Sequence, residues 1–103
     1  MSLEKYFPET IFVKQYIEKF GLEKAVRKQL TVVVGELFEV QEEFSKDNND
    51  DTLMELVDVI QATYTAMRMI PGYTEKKISE LIKSVQEKNR QRGYIKWVLE
   101  VED

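Results

Sequence analysis

Glu36 and Glu39, then Glu55 and Asp58, are two acid pairs with the same i, i+3 spacing, and each pair lies in a stretch rich in helix formers. At that spacing both side chains of a pair share one helix face. Two such helices packed antiparallel would aim four carboxylates at one place. Like charges gathered in that way repel, so the arrangement calls for a cation. Carboxylate oxygens are ligands of Mg²⁺, and Mg²⁺ is the common partner of phosphate substrates. A Glu-x-x-Glu on one helix is more often a solvated face. The weight of the pattern lies in its repetition and in the distance between the pairs.

Other chemistries are narrowed by what the chain lacks. It has no cysteine and no histidine, which removes thiolate nucleophiles, imidazole bases and the usual zinc ligands. Catalysis would fall to carboxylates, lysines, hydroxyls or a hard metal ion. The net charge is −4 with no basic block, which argues against binding a nucleic-acid duplex. No apolar run has the length of a membrane span, and Met1 to Phe7 carries Glu4 and Lys5 in place of a secretory core. The expectation is a cytoplasmic protein that does not engage a membrane.

The elements that must position the acids follow from punctuation and periodicity. The 103 residues suit a single domain spanning 1–103, with a modest core of the kind that small helical proteins complete by oligomerising. Pro8 opens a helix running to about Phe20, with Ile11, Phe12, Tyr16 and Phe20 near one face, and Gly21 ends it. A second helix runs from about Leu22 to Phe44, with the stripe Leu22, Val26, Leu30, Val33, Leu37, Val40, Phe44. The β-branched run Thr31–Val34 and Gly35 oppose helix locally, but the helical period on both sides carries it through. A small residue at position 35 would suit a close helix contact.

Ser45 to Asp50 reads as a turn, with Asp50 or Asp51 capping a third helix to about Ile70. Pro71-Gly72 stops it. Thr74 caps a fourth helix through about Arg90, with Ile78, Leu81, Ile82 and Val85 inward, and Gly93 ends it. The alternation of Ile95, Trp97, Leu99 and Val101 marks the tail, 94–103, as a short strand or an extended arm. The expected fold class is all-α, an antiparallel bundle of about four helices.

On the third helix Leu53, Leu56, Val57, Ile60, Tyr64 and Met67 form the expected core stripe. Glu55 and Asp58 fall off it, by roughly 160° and 100° from Val57 at the helical period, among Val59, Ala62 and Ala66. A helix apolar on two sides is expected to face its own core with one and a partner chain with the other. Lys46 and Arg68 are the nearest basic residues to the acids. Fifteen residues separate Glu39 from Glu55, enough to finish one helix, turn and begin the next, which places both pairs at the same end of a hairpin.

The segments Val34-Gly35-Glu36-Leu37-Phe38-Glu39 and Glu55-Leu56-Val57-Asp58-Val59-Ile60 resemble the signature of the MazG-like, all-α nucleoside triphosphate pyrophosphohydrolases, Glu-x-x-Glu followed after a helix-turn spacer by Glu-x-x-Asp. Lys88-Asn89-Arg90-Gln91-Arg92-Gly93-Tyr94 is similar to the Lys-Asn-x-x-Arg-Gly segment after the last helix in many members. The resemblance touches most of residues 22–94.

It implies that Glu36, Glu39, Glu55 and Asp58 hold Mg²⁺, with Mn²⁺ as an alternative. A motif carboxylate, Glu36 or Glu39, would handle the attacking water. Lys83, Lys88 and Arg92 would neutralise phosphate charge, and Asn89 would bond to base or sugar, so that a nucleoside triphosphate yields monophosphate and pyrophosphate. Tyr94, Trp97 and Phe38 are candidates to stack on a base. The resemblance also implies a homodimer or homotetramer. One departure is Gly35, where many members carry a second Glu. Glu42 or Glu43 would then take over any part that acid plays in activating water. The alternatives are a non-catalytic dimeric adaptor, and a degenerate member that binds nucleotide and metal with little turnover.

Overall fold

The structure is a computed structural model that describes residues 3–7 and 12–93, the side chain of Phe12 excepted. Among the described residues there are five helices and no strand: α1 Leu3–Tyr6, α2 Phe12–Phe20, α3 Leu22–Ser45, α4 Asn49–Met69 and α5 Glu75–Gln91. No helix among them is long and apolar enough to cross a membrane. Pro8, Ile11 and the tail 94–103, with Tyr94, Ile95, Trp97, Leu99 and Val101, lie outside the described residues. The chain divides into two compact units, Met1–Tyr73 and Thr74–Asp103.

In the first unit the helix boundaries follow local chemistry. Gly21 has φ 82°, a left-handed conformation that favours glycine, and its amide donates to the Ile17 carbonyl at 2.8 Å, closing α2. The same residue begins α3, whose Ala25 amide donates to the Gly21 carbonyl at 3.0 Å. The helix runs without a break through Thr31–Val34 and Gly35. A methyl group on Gly35 would meet nothing within 4 Å, so no close approach requires glycine there, contrary to the expectation from sequence.

The α3–α4 connection is shorter than its composition suggests. Asp47 takes φ 58°, and the cap of α4 is Asn48 in place of Asp50 or Asp51. The Asn48 side chain accepts from the Asp51 amide at 3.0 Å and donates to the Asp51 carboxylate at 2.7 Å. Asp50 and Asp51 instead occupy the first turn, where negative charge suits the helix dipole. Ile70, held extended before Pro71, ends α4.

A three-residue connection makes α3 and α4 an antiparallel hairpin. Its register is marked by Gln29, whose Nε2 donates to the Ala62 carbonyl at 3.0 Å. Four residues further from the loop, Ala25 and Ala66 fall opposite each other, and both are buried. Small residues there let the two helices approach. Val13 of α2 completes this end with Ala25 and Met69, and Tyr16, Ile17 and Val26 pack around them. Tyr64 is the largest fully buried side chain. Its hydroxyl accepts from Tyr73 at 2.9 Å, and Arg68 stacks over its ring, 4.2 Å from the centroid, while donating to the Phe7 carbonyl.

The assignment of faces on α4 differs from the sequence expectation. Ala62 and Ala66 are buried and Val59 half-buried, so this side packs within the chain. The side carrying Leu53, Leu56, Val57 and Ile60 is the exposed one. The reason is steric: helices joined by a short turn pack most closely through small residues, and the bulkier stripe is left outside.

The second unit contains α5, begun by the Thr74 hydroxyl accepting from the Lys77 amide at 3.0 Å. Gly93, at φ 60°, follows its C-terminal cap Arg92.

Candidate metal centre

Seven residues along α3 from Gln29 lies Glu36. Seven residues back along α4 from Ala62 lies Glu55. The register that pairs Gln29 with Ala62 therefore sets Glu36 against Glu55 across the hairpin seam. Glu39, one turn further along α3, joins them. One carboxylate oxygen from each of Glu36, Glu39 and Glu55 lies within 4.8 Å of the other two. Asp58 is half-buried one turn along α4, outside this group of three, with its charge acting on both Glu36 and Glu55. The structure thus gathers three of the four expected acids and sets the fourth beside them.

Glu36 and Glu55 are half-buried, and Glu39 is exposed. Glu36 and Glu55 each turn one oxygen, Oε2, away from solvent, with no hydrogen-bond partner among the described residues. Loss of solvent, followed by the charges of Glu39 and Asp58, raises the Glu36 carboxyl above its usual range. Glu55 is raised for the same leading reason, with Glu39 next and then Asp58 and Glu36. Within this unit no ion pair among the described residues reaches any of the four acids.

The basic residues expected nearby are occupied elsewhere. Lys46 lies 3.3 Å from Glu43 and 3.8 Å from Glu42, which engages both acids expected to stand in at Gly35. Arg68 is held on Tyr64 and Phe7. Arg27 pairs with Glu23, and the ammonium groups of Lys19, Lys24 and Lys28 stand 5.0–5.7 Å from the Phe20 ring centroid. Sequence reading does not single out Gln29, whose contact with Ala62 is long-range and leaves no local sign.

An oxygen-only donor set with excess negative charge fits a hard divalent cation. Oxygens on opposite sides of one Mg²⁺ stand about 4.2 Å apart. The three gathered oxygens lie within 4.8 Å of one another, a spacing of the same order. The four other candidate residues belong to the second unit. Lys83, Lys88 and Asn89 lie on α5, and Arg92, whose amide donates to the Lys88 carbonyl at 3.1 Å, is its C-terminal cap. Lys88, Asn89 and Arg92 fall within about one helical turn, with Lys83 a turn or more before them. Phe38 is 67% exposed. Comparison of the chain with protein-family models, curated proteins and solved structures gave no match.

Proposed function

We propose that this chain is a Mg²⁺-dependent nucleoside triphosphate pyrophosphohydrolase of the MazG-like kind, converting a ribo- or deoxyribonucleotide, standard or modified, to its monophosphate and pyrophosphate. The observation that carries the reading is Glu36 facing Glu55 across a helix seam, each with a solvent-shielded oxygen unpartnered among the described residues and with Glu39 alongside. A structural role would pair those charges with lysine or arginine. A binding role leaves them for a cation and its substrate.

Glu36, Glu39, Glu55 and Asp58 would hold Mg²⁺, or Mn²⁺ in its place. When bound, the cation supplies positive charge to the triphosphate and lowers the pKa of water. Glu39, the most solvent-accessible of the gathered three, takes the proton from the attacking water. The water oxygen bonds to the α-phosphorus, the bond from that phosphorus to the bridging oxygen breaks, and the electron pair leaves with pyrophosphate. Glu36 and Glu55 fix the geometry of that exchange. The resemblance would give Lys83, Lys88 and Arg92 the part of neutralising charge on the phosphoryl oxygens, and Asn89 a bond to sugar or base. The same reading takes the working form to be a homodimer or homotetramer.

Gly35 favours a second reading, in which nucleotide and metal bind with little turnover. The test is pyrophosphate release from a panel of standard and modified nucleoside triphosphates with Mg²⁺. The expected result is release with at least one substrate, lost in Glu39→Ala and Asp58→Ala variants that keep their helical circular dichroism. Metal-dependent thermal stabilisation without release supports the second reading. With neither effect, both fail and a non-catalytic adaptor remains.

A further inference from the structure

The corner where α2 meets α3 gathers positive charge in a chain that is acidic as a whole. Lys19, near the end of α2, and Lys24 and Lys28, one turn apart on α3, hold their ammonium groups 5.2, 5.7 and 5.0 Å from the centre of the Phe20 ring. No two of the three charges therefore stand farther apart than about twice that distance. All three side chains are exposed, and no carboxylate among the described residues pairs with any of them. Phe20 is half-buried and fixed edge-on against Tyr16, with 4.8 Å between ring centroids. Its ring lines up the lysine stems and attracts their heads, but it carries no net charge to neutralise them.

Beside the ring lies an open hollow of about 500 Å³, lined by Phe20, Gly21, Leu22, Glu23, Lys24 and Arg27. Glu23, the one acid in that lining, is already engaged by Arg27 at 3.2 Å. The hollow adjoins the first turn of α3, whose cap Gly21 makes no side-chain hydrogen bond.

We propose that this corner binds a small di- or triphosphate anion, either free pyrophosphate or the phosphate tail of a nucleotide, through Lys19, Lys24 and Lys28 beside Phe20. Ammonium groups are compact charges with three donors each, and three of them gathered around one ring suit an anion with several negative charges on neighbouring centres. A lone carboxylate would satisfy one lysine, and a nucleic-acid duplex needs a longer track of cations than one corner provides. The site is separate from the acid cluster. Lys28, the nearer of the two lysines on α3, precedes Glu36 by eight residues, about 12 Å of helix. One small anion does not touch both places, and the metal-free carboxylates would repel it. The proposal stands on the three ammonium groups and the hollow, and it does not depend on the hydrolase reading.

The test is calorimetric titration of inorganic pyrophosphate, and separately of adenosine triphosphate, into metal-free full-length protein at neutral pH and low ionic strength. The expected result is saturable binding at one site per chain, weakened at least about tenfold when Lys24→Gln and Lys28→Gln are combined, with helical circular dichroism retained. Binding should persist in Glu36→Gln and in the paired control Lys76→Gln with Lys77→Gln, which removes the same charge from α5. Absence of saturable binding by the wild type overturns the proposal. So does binding that survives the Lys24 and Lys28 substitutions, binding lost in Glu36→Gln, or an equal loss in the α5 control. If the Lys24 and Lys28 variant does not fold, lysine acetylation of the wild type decides: pyrophosphate protects Lys19, Lys24 and Lys28 if the proposal is right, and unchanged reactivity overturns it. Tighter binding of adenosine triphosphate than of pyrophosphate identifies the nucleotide tail as the ligand. Binding no tighter than that of pyrophosphate identifies the free diphosphate, and both results uphold the site.

Discussion

Glu36 and Glu55 bring two carboxylates into a seam that two helices otherwise close with small or uncharged side chains. Their raised pKa values give a sign to the pH dependence. A glutamate held above its ordinary value in the folded chain contributes stability that is fully present below the unfolded value, near 4.5, and is lost as pH rises through the raised value. Metal-free protein is therefore expected to melt at higher temperature as pH falls from neutrality toward the ordinary glutamate value. The Mg²⁺-induced increase in melting temperature should be largest above neutrality and shrink over the same range, because protons and cation compete for the same oxygens. Scanning calorimetry at several pH values, with Mg²⁺ and with chelator, checks both signs. Glu55→Gln removes one charge from the seam while keeping its shape. It is expected to raise the metal-free melting temperature, abolish the Mg²⁺ response and reduce pyrophosphate release by about a hundredfold or more.

Among the elements, α3 carries two opposed tendencies. Gly35 and the β-branched Thr31–Val34 weaken it, and the long apolar period sustains it. Since a methyl group at position 35 meets nothing, Gly35→Ala should stabilise the protein by about 1 kcal/mol, read from urea denaturation. Asn48→Ala removes the cap of α4 and should cost about 1 kcal/mol in the same measurement. The helix boundaries were largely legible in the sequence because glycine, proline and capping residues act locally: Gly21, Pro71 and Thr74 fall where punctuation put them. The cap of α4 was misread because Asn48, Asp50 and Asp51 can each cap. The choice is made by how soon the chain leaves α3, which depends on the positive φ of Asp47. The inward face of α4 was misread for a different reason. Periodicity finds the stripe of largest side chains, whereas a tight hairpin selects the smallest, and Ala25, Ala62 and Ala66 leave little hydrophobic signal.

For the whole molecule, the acids and the bulky apolar residues have exchanged the places they usually hold in a monomer. Carboxylates line the hairpin seam and leucines face outward. Both halves of that exchange find a partner in the proposed function, a cation in the seam and the second copy of a homodimer, and the two are separable. Val57→Lys should shift the oligomer toward monomer without removing the Mg²⁺ effect on stability, whereas Glu36→Gln should do the reverse. The acid constellation could be read from sequence because it needs only an i, i+3 repeat and a hairpin-length spacer. Its setting could not, because the side of each helix that faces its neighbour is fixed by the register of Gln29 against Ala62, a long-range contact with no local sign.

The central claim, that the acids of α3 and α4 grip a divalent cation, is most directly tested by titrating Mn²⁺ into the full-length protein above neutral pH, followed by electron paramagnetic resonance. The wild type should bind Mn²⁺ saturably, release it to excess Mg²⁺, and lose binding in both Glu36→Gln and Glu55→Gln. Saturable binding that both variants retain, or no saturable binding by the wild type, would contradict the claim.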